Sequence, residues 1–374
     1  MPSQTYADDL ALLRQQVEVV ELSGPGDARV AVVPAYQGRV MTSTLAGDTG
    51  ASFGWLNEDF IISNDQSEQF NNYGGEDRFW LGPEAGQFGL WFRRGEPFDL
   101  DHWRTPPGFN SGPFEVASLA PDNAEMTTRF DVTNYSGTTF ICDLLRNIAA
   151  LDASQFVQLP DKVSSVAFES TNTLTNAGDE PWRRETGLLS IWVVGQFKPL
   201  PRGKVVVPLA GKSEKPAEGI TTDYFGELPA DRCHIVDDHV LFTCDGKHRS
   251  KIGIAPSRAR EVLGSYDADN GVLTVVWFNL PNSAEKLPYV NSLWKIQDDP
   301  YAGDVVNSYN DGPPAPGVEP MGPFYEIETS SPAAELKPGQ SITHTHRTAH
   351  FAGEFEALNE LAQGILGVDL SEID

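Results

Sequence analysis

The 374-residue chain carries 53 acidic against 27 basic side chains, a formal net charge of −26. Such a surface repels nucleic-acid phosphates and anionic lipid heads, which excludes both as natural partners. Forty per cent hydrophobic and ten per cent aromatic residues describe a well-cored globular protein, and the 34 Gly and 27 Pro suit many short strands joined by turns.

The N-terminal stretch MPSQTYADDLALLRQQ shows no basic segment followed by an apolar one, so no export signal is visible and the expected compartment is the cytoplasm. No apolar run approaches the roughly 18 residues of a membrane-spanning helix. Cys142, Cys233 and Cys244 have no metal-ligand spacing. Cys233 and Cys244 flank a hairpin and could pair, but reduced, buried thiols are the default.

Residues 7–16 predict a short amphipathic helix, with Leu10, Leu13 and Val17 at helical spacing. From there the period switches to two. VEVVEL, ARVAVVP and GRVMTSTL read as successive strands, followed by QFGLWF, TTRFDVT, SSVAFESTNTLT, LLSIWVV, KVVVPL and VLTVVWFNL. RCHIVDDHVLFTC reads as a hairpin, and Asn270-Gly271 predicts a second one with a type I′ turn. A helical period returns only in EFEALNELAQGIL, from Glu354 to Leu366. The Pro-rich stretch 310–323 reads as a loop within one domain, because strand-like FYEIET follows at once. The expected fold class is all-β: one large antiparallel two-sheet sandwich with short terminal helices. Its expected divisions are an N-terminal extension (1–16), the sandwich (17–353) and a C-terminal helix (354–374).

Three clusters carry chemistry. In NYGGEDRFWLGPE two glycines permit a sharp bend, and Glu76, Asp77, Arg78 and Trp80 follow at once. Carboxylates and Arg offer directional hydrogen bonds to sugar hydroxyls, and Trp covers the C–H face of a pyranose; the bland alternative is a structural turn with an Arg–carboxylate pair. On a strand, Glu326 and Glu328 project from one face, where their mutual repulsion raises one pKa unless a cation lies nearby. That suits a general base or a metal site, or else an exposed strand face. In the stretch from His344 to Phe351, His344, His346, Thr348 and His350 share one strand face. Such a row can transfer protons, ligate a transition metal, or simply be hydrogen-bonded structure.

IETSSPAAELKPGQSITHTHRTAHF resembles the C-terminal strand pair of aldose 1-epimerases, with Glu328, Pro332, Leu336, Pro338, Gly339 and Phe351 on the family's pattern. TNTLTNAGDEPWRRETGLLSIWVVGQF is similar to that family's central strand–turn–strand, with Asn176 and Gly178 in the turn. GGEDRFWLGPE is similar to a segment of uncharacterised bacterial relatives of the galactose mutarotases. The resemblance implies the galactose mutarotase-like supersandwich, a carbohydrate ligand and no cofactor or metal. It implies Glu328 as catalytic base and Arg78 as a sugar-binding residue.

One departure stands out: between His102 and His234, where the family carries its acidic His, this chain has none. One of His344, His346 or His350 is the expected substitute acid, with His346 and His344 the leading candidates. Glu76, Asp77, Trp80, Glu326, Arg347 and His350 complete the expected site, with Lys251 a further cation for an acidic sugar. An aldose 1-epimerase-like isomerase is the leading function; a non-catalytic sugar-binding module and a polysaccharide lyase or other glycoside-processing enzyme are the alternatives.

Overall fold

The computed structural model describes residues 4–211, 213–282 and 284–373. Strand makes up 39% and helix 12% of the structure. A capping box closes helix α1 (Tyr6–Arg14) at its start: Thr5 and Asp8 exchange side-chain-to-backbone hydrogen bonds. Strands β1 (Val20–Ser23), β2 (Arg29–Val33) and β3 (Arg39–Thr44) then form a small antiparallel sheet, followed by helix α2 (Glu58–Ser63).

Sixteen further strands build two larger antiparallel sheets. In chain order they are β4 (Arg78–Gly82), β5 (Glu115–Ala120), β6 (Asn123–Thr133), β7 (Thr139–Leu151), β8 (Ser164–Asn176), β9 (Ser190–Phe197), β10 (Gly203–Pro208) and β11 (Ile220–Thr221). They continue as β12 (Cys233–Ile235), β13 (His239–Thr243), β14 (Ser250–Ile254), β15 (Val262–Asp267), β16 (Val272–Phe278), β17 (Val306–Asn310), β18 (Tyr325–Ser330) and β19 (Ser341–Ala352). One sheet has ten strands in the order β12-β13-β10-β15-β16-β19-β8-β7-β6-β5; the other has six, β11-β14-β17-β18-β9-β4. Two short helices complete the set, α3 (Pro107–Asn110) and α4 (Phe355–Ile365).

The two large sheets stack face to face, and the period of two along each strand decides what lies between them. Phe79, Leu81, Ile191, Val193 and Ile327 of the six-stranded sheet are buried in this layer. The ten-stranded sheet contributes Leu144, Ile148, Phe168 and Leu174. Helix α4 covers part of that sheet's outer face through Leu358, Leu361 and Ala362, packed with Leu273, Val275 and Phe351.

Two local expectations are corrected. QFGLWF is not a strand: Leu90 and Trp91 donate their backbone N–H groups back to Pro83 and Glu84, folding the segment into a loop that inserts Trp91 and Phe92 into the core. The second hairpin does not use a two-residue turn. Four residues, 268–271, separate β15 from β16; Asp267 caps the backbone N–H groups of Asp269 and Asn270, and only Gly271 has a positive φ, of 60°. Cys233 faces Phe242 across the first hairpin, and all three cysteines are free.

Candidate functional site

Side chains on the outer face of the six-stranded sheet converge under a roof of loops. Register sets the floor. Asn307, Glu328, Val194 and Arg78 are successive cross-strand partners in one row; Lys251, Tyr309, Glu326 and Gln196 form the next. Trp80 and Trp192 face each other in the row on the other side of Arg78 and Val194. The bend that brings Arg78 into the sheet depends on Gly74 and Gly75, with φ of 89° and 110°. A Cβ on Gly74 would lie 2.1 Å from the Trp55 carbonyl oxygen, so no other residue fits there without rearrangement.

The roof consists of Phe70, Leu100 and Trp103, joined by Phe225, Trp294 and Met321 from three later loops. The Pro-rich 310–323 stretch, a loop inside the fold, supplies Met321, whose carbonyl oxygen accepts from Asn72 Nδ2 at 3.2 Å. Between floor and roof lies a cavity of about 50 Å³. That is room for one or two waters, so a larger ligand enters only when the roof moves. A far larger groove, about 910 Å³, lies on the opposite side of the molecule between α4 and the ten-stranded sheet. Its charged residues, Arg260, Glu261 and Glu360, are all exposed, and an open groove with solvated charges lacks the desolvation that tunes a reactive group.

Electrostatics organise the floor. Arg78 Nη2 donates to Glu326 Oε1 at 2.5 Å, and its guanidinium stacks 3.7 Å from the Trp80 ring centre. Glu328 is fully buried; its Oε2 accepts from Lys251 Nζ at 2.8 Å and from Trp192 Nε1 at 2.9 Å. Its other oxygen, Oε1, has no partner among the described residues. Glu328 lies beneath the wall that Lys251 and Trp192 present to the cavity, whereas Glu326 lines the cavity itself. Desolvation pushes Glu326 up to about 7 against the pull of Arg78, with the Glu328 charge adding to the rise. Burial alone would lower Lys251, but attraction to Glu328 and Glu84 outweighs it and leaves the ammonium raised. Glu84, accepting from Trp103 Nε1 at 2.7 Å, is itself raised by desolvation.

Five polar atoms on the lining side chains are buried and have no partner among the described residues: Arg78 Nε and Nη1, Trp80 Nε1, and both amide atoms of Gln196. Beside the main cavity, Tyr224 donates to Asp304 at 2.6 Å and accepts from Asn307 at 3.1 Å, next to Lys251. Gly253 leaves the space that Asp304 occupies, since a Cβ there would meet its carboxylate at 2.0 Å.

The structure thus brings together Arg78, Trp80, Lys251, Glu326 and Glu328. It places the remaining expected site residues elsewhere. His344, His346 and His350 do share one buried face of β19, but that face looks into the layer between the sheets. His344 Nε2 and His346 Nδ1 each lie 2.8 Å from Thr329 Oγ1, and burial pushes these imidazoles down to about 3 and about 4. His350 is bonded to Thr274 and Glu76, and Asp77 to Arg146 and Ser170, all inside the same layer. Arg347 pairs with Glu169 and stacks on Phe156, on the outer face of the ten-stranded sheet. Among the described residues no group of three or more His, Cys, Asp or Glu is placed to hold a metal ion. No described helix is long and apolar enough to cross a membrane.

Sequence reasoning missed Trp192, Gln196, Tyr309, Arg249 and Trp294. One signal was available: four of the eight Trp in the chain, Trp80, Trp103, Trp192 and Trp294, line this one cavity.

The architecture is that of the galactose mutarotase-like supersandwich. A putative aldose 1-epimerase from Escherichia coli K12 superposes with a TM-score of 0.51 at 12% identity, over 89% of this chain and 98% of that one. A protein from Synechocystis sp. PCC 6803 superposes with a TM-score of 0.53 at 13% identity, over 90% and 96%. At such identities the likeness concerns the fold alone. No curated protein matches the sequence. Within this fold the chain belongs to a family of unknown function, DUF6786, whose model matches residues 4–374.

Proposed function

We propose that the cavity binds a sugar and interconverts its anomers by acid–base catalysis. The observation that carries this reading is the set of unpartnered polar atoms on Arg78, Trp80 and Gln196 within an aromatic-lined cavity. Leaving a buried polar group unsatisfied costs about 1–3 kcal/mol, so a ligand that supplies hydroxyls between flat apolar faces recovers that cost. A pyranose has this mixture of rim hydroxyls and C–H faces, and indole rings match the latter. The supersandwich shared with a putative aldose 1-epimerase supports the same class of ligand.

Ring opening needs one proton removed and one delivered. A base takes the proton of the anomeric hydroxyl, the O–H electrons form the carbonyl, and the bond from that carbon to the ring oxygen breaks. The ring oxygen then accepts a proton from the acid. Rotation and reclosure on the other face reverse these transfers, regenerating both groups. Glu328, hydrogen-bonded to the Lys251 ammonium, is the base; its unpartnered Oε1 is the acceptor, and Lys251 must shift toward a sugar oxygen to expose it. Glu326 is the acid, because a carboxyl group pushed to about 7 is protonated in part of the population at neutral pH. The acid sought among the histidines is on this reading a carboxylate.

The test is anomer exchange measured by NMR on a panel of hexoses, with Glu328→Gln and Glu326→Gln beside the wild type. Loss of exchange with retained binding in Glu328→Gln supports the assignment. Binding without exchange in the wild type identifies a sugar-binding module instead, and no binding across the panel removes the carbohydrate reading.

A further inference from the structure

We propose that the sugar admitted here is an acidic one, a hexuronate whose carboxylate docks on Arg249; the inference rests on the carbohydrate reading above. Three cations line the cavity: Arg78, Lys251 and Arg249. Two are held in buried pairs, Arg78 with Glu326 and Lys251 with Glu328. Arg249 makes no hydrogen bond or ion pair with the described residues. Asp311 is the carboxylate within its electrostatic reach, but no ion pair forms, and the Asp311 oxygens accept from Tyr309 Oη at 2.9 Å and the Gly322 backbone at 2.9 Å.

Arg249 is nonetheless held in place. Its guanidinium carbon lies 3.8 Å from the Phe225 ring centre and 5.8 Å from that of Trp294. Both rings belong to the roof, so the cation is half-buried at the boundary between roof and floor. Stacking engages the flat faces of a guanidinium and leaves its N–H donors, which lie in the plane, available. A planar fork of donors matches a carboxylate in two parallel hydrogen bonds. Charge count favours the same partner. One uncommitted guanidinium balances one carboxylate, whereas a phosphate monoester carries about −1.5 to −2 at neutral pH and calls for a second cation. Arg78 and Lys251 already serve buried carboxylates. Docking on Arg249 would also tie the ligand to the Phe225 and Trp294 roof, the part that must move for entry.

Binding and anomer exchange are measured for the full-length protein with glucuronate and galacturonate, with glucose and galactose, and with glucose 6-phosphate. Each hexuronate is expected to bind about ten- to a hundredfold more tightly than its neutral counterpart, the gain of one charged hydrogen-bonding partner. Arg249→Gln should collapse that ratio toward one, and Arg249→Lys, which keeps the charge but not the fork, should restore only part of it. Thermal melts of both variants establish that they fold. Equal affinity for hexuronates and hexoses in the wild type, or an unchanged ratio in Arg249→Gln, overturns the inference and leaves the carbohydrate reading standing. A preference for glucose 6-phosphate over both hexuronates also overturns it. Failure to bind any sugar, charged or neutral, removes both.

Discussion

Glu328 and Thr329 are consecutive residues of β18 that serve opposite sides of one sheet. The Glu328 carboxylate takes the Lys251 ammonium and the Trp192 indole on the outer face. Thr329 Oγ1 meets His344 and His346 on the inner face. A sheet one residue thick therefore separates the candidate base from the histidine row.

The histidines should consequently govern stability, not proton transfer. His344→Ala and His346→Ala are expected to cost about 1–3 kcal/mol each, through lost packing and the loss of one of the two hydrogen bonds at the Thr329 hydroxyl, in urea denaturation. The pH dependence of unfolding carries a sign. Burial lowers both imidazoles from 6.5, to about 3 and about 4, so below pH 6.5 the unfolded chain binds more protons than the folded one. Their contribution is complete above pH 6.5 and is lost progressively as pH falls toward 4. A double His344→Asn, His346→Asn variant should show a flatter decline of melting temperature between pH 6.5 and 4. A decline as steep as wild type would refute the assignment.

Glu326 should set a limb of the pH–rate profile. Protonated below about 7 and ionised above it, an acid in this role loses activity as pH rises through that value. Glu326→Gln cannot donate a proton, so its rate should fall about 10²- to 10⁴-fold and lose the alkaline limb. Retention of that limb in Glu326→Gln would assign it to another group.

The period of two along β18 and β19 was legible in the sequence, and it placed Glu326 with Glu328 and the histidines with one another. Which side of each strand faces the partner sheet was not, because that choice is made by pairings across more than a hundred residues, such as Arg78 with Val194. The family pattern around Asn176 and Gly339 has a direct structural counterpart: the Gly339 N–H donates to the Asn176 carbonyl at 2.8 Å, and Asn176 Nδ2 donates to the Leu336 carbonyl at 2.9 Å. Trp192 and Gln196 escaped notice for another reason. Every residue of β9 is buried, the inner face by the sandwich and the outer face by the roof. A strand covered on both sides loses the polar alternation that marks an outward face.

The Lys251–Glu328 pair yields a prediction about buried charge. Both side chains are at most 8% exposed. Lys251→Met leaves Glu328 buried with the Trp192 indole as its remaining donor, and removing one member of such a pair typically costs about 3–5 kcal/mol. The double variant Lys251→Met, Glu328→Gln removes both charges and should recover most of that loss. Equal destabilisation of single and double variants in urea melts would mean that packing of the lysine stem, not charge pairing, holds this floor.

Closure of the roof gives the last prediction, and it can be read without knowing the sugar. The cavity's 50 Å³ is far below the roughly 300 Å³ of small-molecule sites, so ligand entry must displace roof side chains. Trp103 and Trp294 belong to that roof, and Trp80 and Trp192 to the floor, so half of the chain's indoles change surroundings when a ligand enters. Intrinsic fluorescence should therefore respond to the first sugar that binds. Met321, 37% exposed at the roof's edge, is the cheapest element to trim. Met321→Ala should speed the approach to the bound fluorescence level, because opening limits association, and it should weaken the bound state because the closed roof then packs less well on the ligand. A change in dissociation alone, with association unaltered, would show that the ligand enters past another part of the roof.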